Sequence, residues 1–318
     1  MPASPSGPPS PYAIGATLYL PVTRERALDV VLGRKLPGLR SVVLCLEDAL
    51  AEGDVAAGLD SLRRVMTALE HHDGGPRPLV FVRPRSVDMA GRIAAWRVVS
   101  GIAGFVAPKF RGGEMQGWFD AVAGTHLLLM PTLETAELFD PGAVRDFRDE
   151  LLTFDRARVL ALRIGGNDLL ACLGLRRMRG MTTYEGPLAS VCASLVGMLV
   201  PAGFHLTAPV FEILDDAATL ERELQHDMAF GFVGKTAIHP VQVPLIHAAL
   251  AVDPTDLETA RQILGSNAPA VFSFNGAMCE PRTHVAWAHR ILERAEHCGL
   301  QPCPTARAHA KPSGTLAA

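Results

Sequence analysis

Short apolar runs and segments of helical spacing alternate along the chain, and the pair repeats eight times. The apolar runs lie at residues 16–20, 41–46, 79–82, 104–108, 126–130, 159–164, 205–210 and 231–238. The clearest helical segment follows Asp54 and carries on one face Leu59, Leu62, Val65, Met66 and Leu69. Strands that are apolar almost throughout are typical of a parallel sheet covered by helices.

Eight such units in succession predict a closed (β/α)₈ TIM barrel. A doubly wound open sheet is the alternative, but the number of strands and the absence of a GxGxxG motif after the first run argue against it. Two further helical patterns, at about 256–265 and 281–298, predict extra C-terminal helices. The predicted organisation is a disordered, proline- and serine-rich tail at 1–12, a catalytic barrel at 13–252, a helical appendage at 253–301 and a flexible tail at 302–318.

Composition narrows the class of partner. The 318 residues carry a net charge of −3 with acidic and basic residues interspersed, so no nucleic-acid partner is expected. No apolar segment reaches membrane-spanning length, and none of the six cysteines forms a CxxC pair. These features predict a cytoplasmic protein with reduced thiols and no membrane partner. The longest basic cluster, at residues 176–179, is either a solvated loop or a contact with an anionic substrate group.

Charged residues of both signs follow the apolar runs. In (β/α)₈ barrels the C-terminal ends of the strands carry the chemistry. Here those positions hold Glu47, Asp48, Arg83, Lys109, Glu134, Asp168, Glu212 and Lys235. A single acid after a strand is usually a helix cap or a surface charge. Several charges that converge on one partly buried mouth are costly without a ligand or metal between them, so the whole set predicts a binding site.

Glu134 and Asp168 are candidates for a metal-binding pair. Both follow apolar runs that are adjacent in the predicted barrel, where neighbouring strands lie about 5 Å apart. Two carboxylates at that separation repel each other unless a cation lies between them. Oxygen ligands favour Mg²⁺, and neither motif contains the histidine or cysteine of a zinc site. The alternative is that one acid caps a helix and the other pairs with Arg83 or Lys109.

Seven segments in collinear order resemble the HpcH/HpaI aldolase and citrate lyase beta-subunit family. They are LYLP at 18–21, VLCLEDAL at 43–50, FVR at 81–83, APK at 107–109, LETA at 133–136, GGNDL at 165–169 and GFVGKTAIHPVQV at 231–243. The last is the most specific, because it retains almost the whole family pattern GF-x-GK-x-x-IHP-x-Q. The resemblance covers about residues 14–250. Within the family, the chain is similar to a divergent group of C–C bond lyases from tellurium-resistance and stress-response gene clusters.

The resemblance implies a barrel of the phosphoenolpyruvate/pyruvate type and a Mg²⁺-dependent carbon–carbon bond lyase. Its substrate would be a small hydroxy acid or the acyl thioester of one, such as an acyl-CoA. By position, Glu134 and Asp168 match the metal ligands, and Lys109 and Lys235 match two lysines that we expect to pair with acids across the mouth. The resemblance implies a homo-oligomer, with a trimer favoured. Catalytic roles are expected for Arg83, Glu47 and Asp48, and substrate binding for Arg83, Arg85, Lys109, Gly166 and Asn167.

Three departures from the family pattern bear on the substrate. The stretch at 207–210 lacks the acid that is common there, Val22 replaces a common glycine, and Arg85 replaces a common asparagine. An additional arginine near the mouth predicts a more anionic substrate, bound in part by Arg85. Two alternatives stay open: an aldolase for pyruvate-like keto acids, and a non-catalytic regulatory protein that binds a metal or an anion on the same barrel.

Overall fold

The computed structural model describes residues 7–72 and 74–302, in two compact units, Met1–Ala249 and Leu250–Ala318. Within the tail predicted at 1–12, a short 3₁₀ helix begins at Pro11, and Tyr12 is only 3% exposed. The remaining parts of the two predicted tails, at 1–6 and 303–318, lie outside the described residues together with Cys303.

The first unit is built around the eight parallel strands that the sequence predicts. They are β1 (Gly15–Pro21), β2 (Ser41–Cys45), β3 (Leu79–Arg83), β4 (Gly104–Ala107), β5 (Leu128–Leu133), β6 (Leu162–Ile164), β7 (Leu206–Thr207) and β8 (Gly234–Ala237). Each strand pairs with the next along the chain, and β8 pairs with β1. Between β7 and β8 the amide of Ala208 donates to the carbonyl of Gly234 at 2.8 Å, which completes the ring. The predicted TIM barrel is confirmed.

Helices follow the strands around the barrel. They are α1 (Ala27–Val31), α2 (Val55–Glu70), α3 (Val87–Ala94), α4 (Met115–Val122), α5 (Pro141–Leu151), α6 (Gly166–Cys172), α7 (Leu188–Leu199), α8 (Ala217–Ala229) and α9 (Gln242–Leu250). The predicted face of α2 buries Leu62, Met66 and Leu69. α3 begins at Val87 because the side chain of Ser86 accepts a hydrogen bond from the amide of Met89 at 3.2 Å and caps the helix there.

The direction of the strands positions the functional residues. All eight strands are parallel, so their carboxyl ends meet at one mouth of the barrel. Every residue of β2, β4 and β5 is buried, because helices cover the outside of the sheet and side chains fill the interior. The polar residues that follow each strand are therefore held in place by the packed strands of the barrel.

The second unit has a core of its own. The two predicted C-terminal helices are present as α10 (Pro254–Ile263) and α11 (Pro281–Cys298), and they pack against each other. A hairpin of β9 (Phe272–Phe274) and β10 (Ala277–Cys279) lies between them in the chain. It was not predicted, because three-residue strands are too short to show a period. Within residues 7–72 and 74–302, no helix has the length and apolar character needed to cross a membrane.

Candidate active site

A cavity of about 190 Å³ opens at the carboxyl ends of the barrel strands. The predicted site residues that line it are Asp48, Arg83, Glu134, Gly166, Asn167 and Asp168. They come from the loops after β2 and β5, from the end of β3 and from the first turn of α6, which are far apart in sequence. The structure therefore brings together the acids and the arginine that the sequence placed at separate strand ends.

Glu134 directly follows β5 and is 5% exposed. Its Oε1 accepts a hydrogen bond from the amide of Lys109 at 2.7 Å. The backbone of Lys109 has a φ of 46°, in the left-handed region that residues other than glycine seldom adopt. This conformation directs the Lys109 amide toward Glu134. Burial and the nearby charge of Asp168 raise the pKa of Glu134 to about 7, although the Lys109 hydrogen bond lowers it. A buried carboxylate raised in this way by a neighbouring carboxylate is stabilised in its charged form when a cation lies beside it.

Gly165 leaves the space that Glu134 occupies. A Cβ added to Gly165 would lie 2.4 Å from both the Cβ and the Oε2 of Glu134. We expect Gly165→Ala to displace this carboxylate and to weaken Mg²⁺ binding by about tenfold to a hundredfold, as measured by calorimetry. Gly197→Ala in α7 is the matched control, because its added Cβ would meet nothing within 4 Å. Equal affinities in the two variants would contradict the role given to Gly165.

Arg83 lies in a charged cluster at the edge of the cavity. Its Nη2 is 3.0 Å from Glu47 Oε2 and donates to Asp48 Oδ2 at 3.1 Å, while its Nε donates to Cys45 Sγ at 3.3 Å. The Nζ of Lys109 is 3.2 Å from Glu47 Oε1, and this hydrogen bond raises the pKa of Lys109. Glu47 thus links the two cations and fixes the guanidinium of Arg83 beside the cavity.

Arg85 lies apart from this cluster. Its Nε donates to the carbonyl of Leu46 at 2.9 Å, its Nη2 donates to the carbonyl of Leu50, and its Nη1 binds Glu52 at 2.6 Å. These contacts fasten the loop between β2 and α2, and Arg85 is not among the residues that line the cavity. The structure therefore does not bring Arg85 together with the other predicted substrate-binding residues.

Lys235 belongs to a buried charge network, defined here as Arg177, Glu223, Asp227 and Lys235. The Nζ of Lys235 lies 2.8 Å from Glu223 and 2.9 Å from Asp227, both in α8. Lys235 therefore faces the helix layer, and the expectation that it pairs with acids across the mouth is wrong. The side chain of Arg177 is 5% exposed and binds Glu212 at 2.8 Å as well as Glu223. The prediction that the basic cluster at 176–179 is a solvated loop is therefore wrong for Arg177. It holds for Arg179, whose side chain is exposed.

Tyr19 and Arg163 are among the cavity residues that the sequence pattern did not predict. Two guanidinium groups lie over the ring of Tyr19, with Arg83 Cζ at 5.4 Å and Arg163 Cζ at 5.3 Å from its centroid. Arg163 is 1% exposed and lies in β6. A usable signal was present, because Arg163 is the one charged residue in the apolar run 159–164. A charged side chain within such a run points either into the barrel or toward the surrounding helices, and the sequence does not distinguish the two directions.

The pair Glu134 and Asp168 fits a hard divalent cation. Both side chains line the same cavity with oxygen donors. No group of three or more histidine, cysteine, aspartate or glutamate side chains suited to a metal occurs in the described part of the chain. A cation held by these two carboxylates takes its other ligands from water or from the substrate, which is the coordination that Mg²⁺ usually has in enzymes.

A family model for C–C bond lyases of the TIM-barrel fold matches residues 8–300. The chain belongs to this family. Membership confirms the predicted fold and the predicted resemblance to lyases of the citrate lyase type. It also confirms that the class of chemistry is that of the carbon–carbon lyases.

Comparisons of this C–C bond lyase with individual proteins agree with its membership of the family. The chain is 26% identical over 295 residues to a (3S)-malyl-CoA thioesterase of Cereibacter sphaeroides, covering 88% of this chain and 94% of the relative. It is 25% identical to the mitochondrial citramalyl-CoA lyase of Homo sapiens, covering 83% and 81%. The solved structure of CitE from Mycobacterium tuberculosis with magnesium, acetoacetate and coenzyme A has a TM-score of 0.63 at 22% identity, covering 90% and 99%, and shows the same fold.

Proposed function

We propose that the protein is a Mg²⁺-dependent lyase that cleaves a carbon–carbon bond in a small hydroxy acid or in its acyl thioester. The observation that carries this proposal is that Glu134 and Asp168 share one cavity with Arg83. The carboxylates supply the oxygen ligands of a divalent cation, and the guanidinium supplies a planar fork for a carboxylate. A cavity of about 190 Å³ suits a small acid.

Each residue has a defined task in this proposal. Glu134 and Asp168 hold Mg²⁺, which when bound supplies Lewis-acid polarisation of the substrate. Arg83 binds the substrate carboxylate, Glu47 fixes the guanidinium, and Lys109 balances the charge of Glu47. On cleavage the hydroxyl gives its proton to solvent water and its carbon becomes a carbonyl. The electron pair of the broken bond leaves on the other fragment as an enolate, which takes a proton from solvent to give the shortened acyl product.

The proposed partners are small molecules and further copies of the chain. The names of the human and the bacterial relative both specify a CoA thioester of a hydroxy acid, which supports a thioester substrate here. A homo-oligomer, with a trimer favoured by the family resemblance, is part of the proposal, and light scattering on the full chain measures it. The bacterial relative is named a thioesterase, which is a second candidate activity. A thioesterase hydrolyses the thioester bond and leaves the carbon–carbon bond intact.

Product analysis tests the proposal. The full chain is incubated with malyl, citramalyl and citryl thioesters and with the free acids, once with Mg²⁺ and once with a chelator, and the products are identified by NMR. We expect a 2-oxo acid and a shortened acyl fragment, formed only with Mg²⁺. An intact hydroxy acid with a free thiol would identify a thioesterase instead. No product from any substrate would support the non-catalytic alternative.

A further inference from the structure

Arg163 is a buried cation inside the barrel. In the register of the sheet it pairs with Thr132 of β5 and with Thr207 of β7, so the three side chains lie on the same face. That face is the interior, because Arg163 donates from Nη1 to Thr17 in β1 at 3.3 Å and from Nη2 to Thr236 in β8. Arg163 therefore spans the barrel beneath the cavity mouth.

The charge of Arg163 is not balanced by a carboxylate in the part of the chain that the structure describes. Among residues 7–72 and 74–302 it forms no ion pair, and its protein partners are two hydroxyls, the sulfur of Met130 and the ring of Tyr19. Its Nε has no hydrogen-bond partner although it is buried. An unpaired charge in a barrel interior is costly, so a structural reason for retaining it is lacking.

The same layer contains further unpaired donors. The hydroxyl oxygens of Thr132 and Thr207, the two register neighbours of Arg163, are buried and lack hydrogen-bond partners. Each hydroxyl is able to donate one hydrogen bond, as is the Nε–H of Arg163. Three unpaired donors on adjacent strands, one of them cationic, form a site for an anionic oxygen group.

This site is continuous with the candidate active site. Arg163 and Thr132 line the same cavity as Glu134 and Asp168. The guanidinium groups of Arg83 and Arg163 both lie over the ring of Tyr19, at 5.4 Å and 5.3 Å from its centroid, and they come from different strands, β3 and β6. Because Arg163 is 1% exposed, only a short substituent of a bound molecule reaches it.

We propose that Arg163 binds a second carboxylate of the substrate and that this enzyme selects hydroxy acids whose 2-oxo acid fragment carries that carboxylate. The inference rests on the proposed function, because it assumes that the other end of the fragment is held by Mg²⁺ and Arg83. Cleavage then releases a 2-oxo dicarboxylate in place of a 2-oxo monocarboxylate. The bond that breaks and the path of the electron pair are unchanged, so Arg163 acts in binding and specificity.

The test compares two 2-oxo acids that differ by one carboxylate. Calorimetry on the Mg²⁺-loaded full chain measures the dissociation constants of oxaloacetate and pyruvate for the parent, Arg163→Met and Arg163→Lys. We expect the parent to bind oxaloacetate about tenfold to a hundredfold more tightly, the contribution of one charge-assisted hydrogen-bonded contact. Arg163→Met should lose this preference while its affinity for pyruvate is unchanged. Arg163→Lys, which retains the charge, should keep part of the preference.

Several results would overturn the inference. Equal affinities of the parent for the two acids would do so without any variant. A preference for oxaloacetate that persists in Arg163→Met would also do so, as would equal weakening of both acids, which is the result expected if Arg163 were only structural. Glu134→Gln separates this failure from failure of the proposed function. If both acids bind Glu134→Gln as they bind the parent, the metal-dependent site itself is refuted.

Discussion

Glu134→Gln is expected to lower kcat/KM for carbon–carbon cleavage by about a thousandfold or more, since a bound metal contributes several kcal/mol of transition-state stabilisation. The substitution keeps the shape of the side chain and its hydrogen bond from the Lys109 amide, but it removes the negative charge. Because the glutamine is neutral, the penalty of burying a carboxylate beside Asp168 disappears as well. We therefore expect the thermal stability of the substrate-free protein to be retained or to rise while activity is lost.

Glu137→Gln is the matched control for this prediction. Glu137 lies only three residues further along, is half exposed, and pairs with Arg111 at 3.4 Å outside the cavity. Its kcat/KM should equal that of the parent. Steady-state kinetics at saturating Mg²⁺ decide the matter. Loss of activity in both variants, or in neither, would contradict the role given to Glu134.

Lys235→Met is expected to destabilise the protein by about 3–5 kcal/mol, the usual cost of removing one partner from a buried ion pair. Lys235 neutralises Glu223 and Asp227, and all three side chains are at most 2% exposed. Asp227 also accepts a hydrogen bond from Tyr184, and Glu223 accepts one from the amide of Thr183 at 2.7 Å. Without the ammonium group, two carboxylates remain buried against a single arginine. Urea unfolding of the full chain measures the effect.

The control for Lys235→Met removes a charge that is solvated. Arg179 pairs with Asp215 at 2.7 Å, but both side chains are more than half exposed. Arg179→Met should leave the unfolding midpoint unchanged, because exposed ion pairs contribute little to stability. If Lys235→Met were as stable as Arg179→Met, the buried charge network would not stabilise the packing of α8 against β8.

The barrel and much of its mouth are predictable from the sequence for a physical reason. Buried parallel strands need unbroken apolar runs, and each run is visible because a turn and an amphipathic helix separate it from the next. Once the strands are ordered, the parallel direction alone gathers Asp48, Arg83, Glu134 and Asp168 at one mouth. An error of a few residues in the predicted end of a strand does not change which side chains meet at the mouth.

The direction of a side chain within a strand is harder to predict, because neighbouring residues point to opposite faces of the sheet. In β8, Thr236 faces the cavity while the adjacent Lys235 faces α8. In β6, Arg163 points inward, where an apolar residue would be usual. Arg85 follows Arg83 by two residues, but its three contacts with the loop after β2 direct it away from the cavity. A sequence pattern does not contain these tertiary contacts.

The central claim, that Glu134 and Asp168 hold a Mg²⁺ ion, is tested most directly by calorimetric titration of the metal-stripped full chain. The parent, Glu134→Gln and Asp168→Asn are titrated with Mg²⁺ under identical conditions. The account predicts one saturable site in the parent and its loss in each variant, with all three proteins folded. No binding by the parent, or binding that both variants retain, would contradict it.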